Sequence, residues 1–209
     1  MTPAPPTEPI ENSAGKAALR SELRARRREL SGDAAITAAR RMAEHLAATP
    51  RWRNLHSLAL YLPNDGEIDS LPLVERAWAA GKAVYLPRIR ASGLDFALWE
   101  RGVELVANRF GIGEPATAAV PPAELDLVAL PLVGFDGAGN RLGMGAGYYD
   151  RALKDRALKD RALTDGARPL LLGLAYQCQQ VTDLPADPWD VGLDAVVTEE
   201  GFLRCGPRW

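Results

Sequence analysis

The chain has 209 residues, of which 47% are hydrophobic and 25% charged, so it is long enough for one globular domain with a sizeable core. The formal net charge of −2 excludes an overall field that would attract nucleic acid or an anionic membrane. Without a secretory signal in Met1–Pro9 or an apolar stretch of bilayer length, we expect a cytoplasmic monomer with small-molecule partners, no nucleic acid and no membrane.

The amino-terminal part is predicted to be a tail followed by two helices. Residues 1–12 are rich in proline and are predicted to be disordered, and residues 13–209 are predicted to form a single domain. Ser13 can cap a helix that runs to about Leu30, and a second helix is predicted from Asp33 to Ala48. The first helix is rich in arginine, but no aromatic residues are interleaved, so nucleic-acid binding is not favoured.

Strand and helix patterns then alternate along the chain. The apolar run 58–62 predicts a buried strand, residues 71–80 a helix with Gly81 just beyond its end, and residues 83–86 a strand that Pro87 ends. A strand, a helix and a strand in this order indicate a parallel crossover.

The remaining patterns complete the fold class. Residues 94–99 predict an antiparallel strand, residues 110–122 a turn-rich loop, and further strands are predicted at 125–130, 170–174 and 193–197. We therefore predict an α/β fold: a single three-layer α/β/α domain with a mainly parallel central sheet and N-terminal helices.

A five-residue repeat, Arg-Ala-Leu-Lys-Asp, runs from residue 151 to residue 165 with one lysine replaced by threonine. Five residues turn a helix by about 500°, so the repeated leucines do not share one narrow stripe. The charges form i, i+4 pairs that suit a solvated helix. We interpret the repeat as a duplication that lengthened such a helix, and expect that deleting residues 156–160 leaves turnover largely intact.

Three glycines alternate in a loop at positions 143, 145 and 147, after a strand and a turn and before a helix. Glycine lets backbone N–H groups approach phosphate oxygens, and the following helix start adds further donors. Arg141 can add positive charge, and Asp150 is placed to hold a magnesium ion. A flexible turn is the alternative. The loop is neither a Walker A motif nor the dinucleotide fingerprint.

Other candidate residues are ambiguous when taken alone. Glu67 follows a predicted strand, where ligands of α/β sheets bind, but a helix-capping role explains it equally simply. Lys16 and Arg20 share one helix face and either bind a phosphate together or are solvated charges. Cys178 and Cys205 can form one disulfide, although free thiols are favoured.

Together these motifs resemble the 5-formyltetrahydrofolate cyclo-ligases, also called methenyltetrahydrofolate synthetases. The most specific match is the stretch Gly139-Asn-Arg-Leu-Gly-Met-Gly-Ala-Gly-Tyr-Tyr-Asp-Arg151. Seven further segments match in the order that the family has them: residues 16–20, 61–69, 81–88, 110–115, 130–136, 173–176 and 190–194. The resemblance covers roughly residues 16 to 200.

This resemblance implies a reaction in which ATP and 5-formyltetrahydrofolate give ADP, phosphate and 5,10-methenyltetrahydrofolate, with Mg²⁺ as cofactor. Phosphorylating the formyl oxygen would give an N5-iminium phosphate, and attack by N10 would close the ring as phosphate leaves. A non-catalytic nucleotide- or folate-binding module on the same fold is the alternative.

The resemblance also implies a set of site residues. It implies catalytic roles for Lys16 and Arg141, and metal binding by Asp150 and Asp190. The residues implied in ATP binding are Lys16, Arg20, Arg141, Leu142, Gly143, Met144, Gly145, Ala146, Gly147, Tyr148 and Tyr149. Those implied in folate binding are Leu62, Glu67, Met144, Gly145, Ala146, Gly147 and Tyr148. Phe110, Trp99 and Tyr149 are expected to supply apolar walls.

The chain departs from the family pattern at two loop positions. Some members have arginine where this chain has Met144 and lysine where it has Ala146. Their charge must then come from Lys16, Arg20, Arg141 or the metal. Within the repeat only Asp150 keeps the motif context, so Asp155 and Asp160 are predicted not to be ligands.

Overall fold

The computed structural model describes residues 10–91, 93–153, 169–187 and 190–209. The helices are α1 Ile10–Glu29, α2 Gly32–Ala47, α3 Leu71–Ala79 and α4 Tyr148–Leu153. The strands are β1 Ser57–Ala59, β2 Ala83–Arg90, β3 Gly93–Leu98, β4 Leu105–Ala107, β5 Gly113–Pro115, β6 Ala119–Val120, β7 Leu127–Pro131, β8 Gly134–Phe135, β9 Arg141–Leu142, β10 Leu170–Leu174, β11 Ala195–Val197 and β12 Phe202–Arg204.

Among the described residues, eight strands form one sheet in the order β12-β11-β10-β7-β1-β2-β3-β6. The five strands from β11 to β2 are parallel, while β12, β3 and β6 each pair antiparallel with their neighbour. Two short hairpins, β4–β5 and β8–β9, lie outside this sheet. The predicted α/β class with a mainly parallel sheet is confirmed.

Alternate side chains of the central strands face two separate cores. Leu58 of β1 packs in a core under α2 and α3, whereas its neighbour Ala59 packs in a core on the opposite face. The second core includes Leu153 of α4. Because both faces are covered, nearly every residue of β7 and β10 is buried, as expected for parallel strands between two layers.

Several predicted boundaries change in the structure. Helix α1 begins at Ile10, so the predicted start at Ser13 is wrong, and residues 10–12 are helical. Residues 1–9 of the predicted tail and residues 154–165 of the repeat lie outside the described residues. Cys178 and Cys205 are free thiols, as favoured.

The strand predictions were wrong in three places. Strand β2 continues through Pro87 to Arg90, since β1 pairs with β2 only as far as Tyr85 and Pro87 lies where β2 pairs with β3 alone. The predicted loop 110–122 contains β5 and β6. Strands β8, β9 and β12 were not predicted, because two or three residues are too few to show a period.

Candidate active site

The candidate site lies where the parallel strands β1, β7 and β10 end. The segment with Glu67 follows β1, and the β8–β9 hairpin with the glycine loop follows β7. Helix α1 packs beside both, because Leu23 is fully buried against Val133 and Leu142. The carboxyl edge of the sheet is where α/β folds bind ligands.

The β8–β9 hairpin holds Arg141 in a fixed position. The buried carboxylate of Asp136 accepts hydrogen bonds from the N–H groups of Ala138, Asn140 and Leu184 at 2.9–3.1 Å. Gly139 has φ +86°, and a Cβ there would lie 2.7 Å from the carbonyl oxygen of Leu193. The turn therefore needs glycine for both its conformation and its close packing.

Arg141 links the two segments that contain the predicted metal ligands. Its side chain is only 6% exposed. Its Nε donates to the carbonyl of Val191 at 3.1 Å and its Nη2 to Oδ1 of Asp150 at 2.6 Å. It also lowers the pKa of Asp190 together with nearer donors, so it lies close to both carboxylates.

Lys16 and Arg20 of α1 both reach the site, but they contact different segments. The Nζ of Lys16 donates to Asp187 at 2.6 Å and to Asp190 at 3.1 Å. Burial lowers the pKa of Lys16, but the hydrogen bonds to these two carboxylates outweigh it and raise the pKa overall. Arg20 instead donates from Nε to the carbonyl of Gly143 at 2.9 Å, in the glycine loop.

The glycine loop is open, with Met144, Gly145 and Ala146 exposed. Gly145 and Gly147 have φ +97° and +65°, a conformation that favours glycine. Arg151 donates to the carbonyl of Ala146 at 2.8 Å, a contact that we did not predict although Arg151 ends the recognised motif. Leu142 supports the loop from beneath, with its side chain buried and its carbonyl accepting from Val133.

Glu67 lies close to the tyrosines of the site. It is half-buried, and its Oε2 accepts from the N–H of Asn64 at 3.1 Å. Burial raises the pKa of Glu67 to about 7. Burial and then the nearby Glu67 raise the pKa of both Tyr149 and Tyr61. The structure thus brings Glu67 together with the end of the glycine loop, while Leu62 lies half-buried in the same segment as Glu67.

Asp65 anchors the Glu67 segment to α1 through three arginines. Its carboxylate accepts from Arg24 at 2.8 Å, from Arg27 at 3.0 Å and from Arg28. Although burial raises the pKa of Asp65, the arginines outweigh this and lower it to about 2. Arg27 is fully buried and also donates to the carbonyl of Leu132 beyond β7 at 3.1 Å. Sequence reasoning missed this cluster, which the arginine run on α1 could have suggested.

The predicted metal ligands lie on the two sides of Arg141, but they are not part of a larger cluster. No group of three histidine, cysteine or acidic side chains suited to a metal ion occurs among the described residues. Asp150 and Asp190 are each partly exposed and each paired with a cation, Arg141 and Lys16 respectively. Two carboxylates are nevertheless an appropriate protein contribution for Mg²⁺, which commonly takes its other ligands from water and phosphate.

The expected apolar walls are only partly at the site. Phe110 lies against Tyr148 with ring centroids 6.4 Å apart. Trp99 was wrongly assigned: it packs against Trp78, and its N–H donates to Val84 at the amino end of β2. Because β3 is antiparallel to β2, the chain has returned to the opposite edge of the sheet at this point.

Comparison with known proteins identifies the family. The model of the 5-formyltetrahydrofolate cyclo-ligase family matches residues 12–199. The chain belongs to this family. Its members include the 5-formyltetrahydrofolate cyclo-ligases of Escherichia coli K12, 38% identical over 84% of this chain and 96% of that protein, and of Haemophilus influenzae, 36% identical over 87% and 96%.

A solved member of the family has the same fold. The NMR structure of 5,10-methenyltetrahydrofolate synthetase from Aquifex aeolicus matches with a TM-score of 0.78 and 32% identity, over 91% of this chain and 92% of that one. The chain is therefore an enzyme of the cyclo-ligase type. No helix in the described part of the chain is long and apolar enough to cross a membrane.

Proposed function

We propose that the chain converts 5-formyltetrahydrofolate and ATP to 5,10-methenyltetrahydrofolate, ADP and phosphate. One arrangement above all supports this: the glycine loop lies between cationic side chains of α1 and Arg141, while its end lies beside Glu67. A phosphate donor and a folate can then meet at one loop. The names of the relatives support the folate substrate and the ring closure.

The phosphate side of the site is formed by three cationic residues. Lys16, Arg20 and Arg141 all contact the loop or the segment around Asp190, and Lys16 and Arg141 are largely withdrawn from water. Charges in such surroundings stabilise phosphoryl oxygens more strongly than solvated charges do. We assign ATP to this side, with the backbone of residues 143–147 around its terminal phosphates. These cations supply the charge that Met144 and Ala146 lack.

The folate side centres on Glu67. Its carboxylate can accept hydrogen bonds from the N–H groups of a pterin, and Leu62 and Tyr149 are near enough in the chain to line the ring. A pKa of about 7 means that an unliganded Glu67 is partly protonated at neutral pH. Pterin donors favour the ionised form, so binding is expected to lower this pKa.

The proposed chemistry begins at the formyl oxygen, which attacks the γ-phosphorus of ATP and releases ADP. The product, an N5-iminium phosphate, has a much better leaving group than the formamide. N10 then attacks the formyl carbon, N10 loses its proton, and phosphate leaves with the original formyl oxygen. Arg141 and Arg20 stabilise charge on the transferred group, and the loop aligns the two substrates.

Asp150 and Asp190 are the residues that would hold Mg²⁺. The bound ion would neutralise part of the charge on the ATP phosphates. Arg141 and Lys16 already pair with these two carboxylates, so they keep the acidic side chains in place before any nucleotide binds.

A single assay tests the proposal. The purified chain is mixed with 5-formyltetrahydrofolate and Mg-ATP, and the methenyl chromophore and ADP are followed together. We expect equal amounts of both products. Binding of both ligands without product would instead identify a non-catalytic binding module, and failure to bind either would reject the proposed function.

A further inference from the structure

A groove of about 540 Å³ opens on the other side of the glycine loop from α1. It lies between the β2–β3 turn, the β4–β5 hairpin and the start of α4. Its lining residues are Ile89, Arg90, Ala91, Asn108, Arg109, Glu114, Tyr148 and Arg151. None of the roles assigned above, apart from that of Tyr148, uses this groove.

Positive charge dominates the groove, with three arginines and one acidic residue in its lining. The acidic residue, Glu114, is already engaged, because its Oε1 accepts from the N–H of Ile89 at 3.0 Å and from Nδ2 of Asn108 at 2.8 Å. An incoming anion therefore meets guanidinium groups together with a carboxylate that has its own hydrogen-bond donors.

The arginines are held in place but keep donors for a ligand. Arg109 donates to the hydroxyl of Tyr148, and Arg151 donates to the carbonyl of Ala146 and lies over the Tyr148 ring. Arg90 donates from Nε to Asp95 at 2.8 Å. A guanidinium has five N–H donors, so contacts of this number leave others for the planar, two-toothed recognition of a carboxylate.

The groove is continuous with the proposed folate side through two consecutive residues. Tyr149 lies near Glu67, and its neighbour Tyr148 lines the groove. The cations proposed for ATP phosphates, in contrast, contact the loop from α1 or lie at Val191 and Asp150. The loop thus has cationic groups on two sides, which suits two separate anionic ligands.

We propose that this groove binds the glutamate carboxylates of the folate substrate, with Arg90 and Arg109 as determinants of affinity for longer glutamate tails. The inference rests on the proposed function for the identity of the substrate. Each added glutamate contributes a carboxylate to the groove, while the pterin remains at Glu67 and the nucleotide on the side of α1.

The test compares Arg90→Gln and Arg109→Gln with the unmodified chain. KM is measured for mono- and triglutamyl 5-formyltetrahydrofolate and for ATP. We expect the triglutamate KM to rise roughly tenfold, the size of one lost charge-assisted hydrogen bond, with a smaller rise for the monoglutamate and none for ATP. Arg51→Gln, which changes an exposed arginine outside the groove, is the control and should leave all three unchanged.

A second measurement needs neither turnover nor a variant. Titration of the unmodified chain with p-aminobenzoyl-triglutamate should show binding that weakens as salt is added, because exposed charges are screened. The inference is overturned if this probe does not bind, or if the variants raise the KM of ATP and leave that of the triglutamate unchanged. Salt-sensitive binding of the probe without methenyl formation would reject the proposed function and retain the anion site.

Discussion

Replacing Asp65 with asparagine tests whether the arginine cluster on α1 holds the candidate site together. The substitution keeps the size of the side chain, and asparagine tolerates the left-handed backbone at this position, where φ is +53°. It removes the negative charge that faces the fully buried guanidinium of Arg27. Arg27 keeps its hydrogen bonds to the carbonyls of Leu132 and residue 65.

Two estimates of the cost agree. Removing one partner of a buried ion pair costs about 3–5 kcal/mol, and the hydrogen bonds that Arg27 retains place Asp65→Asn at the lower end, about 3 kcal/mol. Independently, the lowering of the Asp65 pKa from 3.8 to about 2 corresponds to roughly 2–3 kcal/mol of stabilisation of the folded state. The side chain of Asp65 is only 17% exposed, so solvent screening reduces this value little.

The assay is urea unfolding of the two proteins at pH 7 and again near pH 3. Because the folded pKa is lowered, the charge of Asp65 stabilises the fold above about pH 4, and this contribution is lost as the pH falls towards 2. We therefore expect a difference of about 3 kcal/mol at pH 7 that shrinks at pH 3.

The matched control is Glu44→Gln, which removes an exposed ion pair with Arg76 and should cost less than about 1 kcal/mol. The reasoning is refuted if Asp65→Asn costs no more than this control, or if its effect is the same at both pH values.

Three further predictions concern the site and the hairpin that supports it. Burial raises the pKa of Glu67 to about 7, so the protonated carboxyl contributes stability below about pH 4.5 that is lost as the pH rises through 7. Glu67→Gln should consequently raise the urea midpoint at pH 8 but not at pH 4, besides abolishing methenyl formation; an equal shift at both pH values would contradict this. Asp150→Asn removes the carboxylate that pairs with Arg141, and kcat should fall at least about 100-fold in a protein whose circular dichroism is unchanged; full turnover would remove Asp150 from the site. Gly139→Ala should cost at least roughly 2 kcal/mol in urea unfolding, because of its positive φ and the 2.7 Å approach to Leu193, whereas the control Gly137→Ala meets no neighbour within 4 Å.

Local sequence patterns were sufficient for the parts of the fold that depend on neighbours in the chain. Helix α3 and strand β10 were predicted almost residue by residue, because a run of apolar residues between turn residues is a local signal. The glycine loop was recognisable for the same reason, since alternating glycines and the Tyr-Tyr-Asp-Arg ending are contiguous. The parallel order of the central strands followed from the helices between them.

Contacts between distant segments were beyond that reach. Trp99 was placed at the site from its residue type, but the antiparallel direction of β3 takes it to the other edge of the sheet. Nothing in the sequence paired Lys16 with Asp187, which is 171 residues away.

What the sequence alone determined is therefore the fold class, the loop and the family resemblance, since each depends on residues adjacent in the chain. The tertiary structure decided which charges meet. It assigned Arg27 to Asp65, Arg141 to Asp150 and Arg20 to the carbonyl of Gly143. Charged side chains have no periodicity that identifies their partners, and a partner is set only when the packing of α1 against the sheet brings the two groups together.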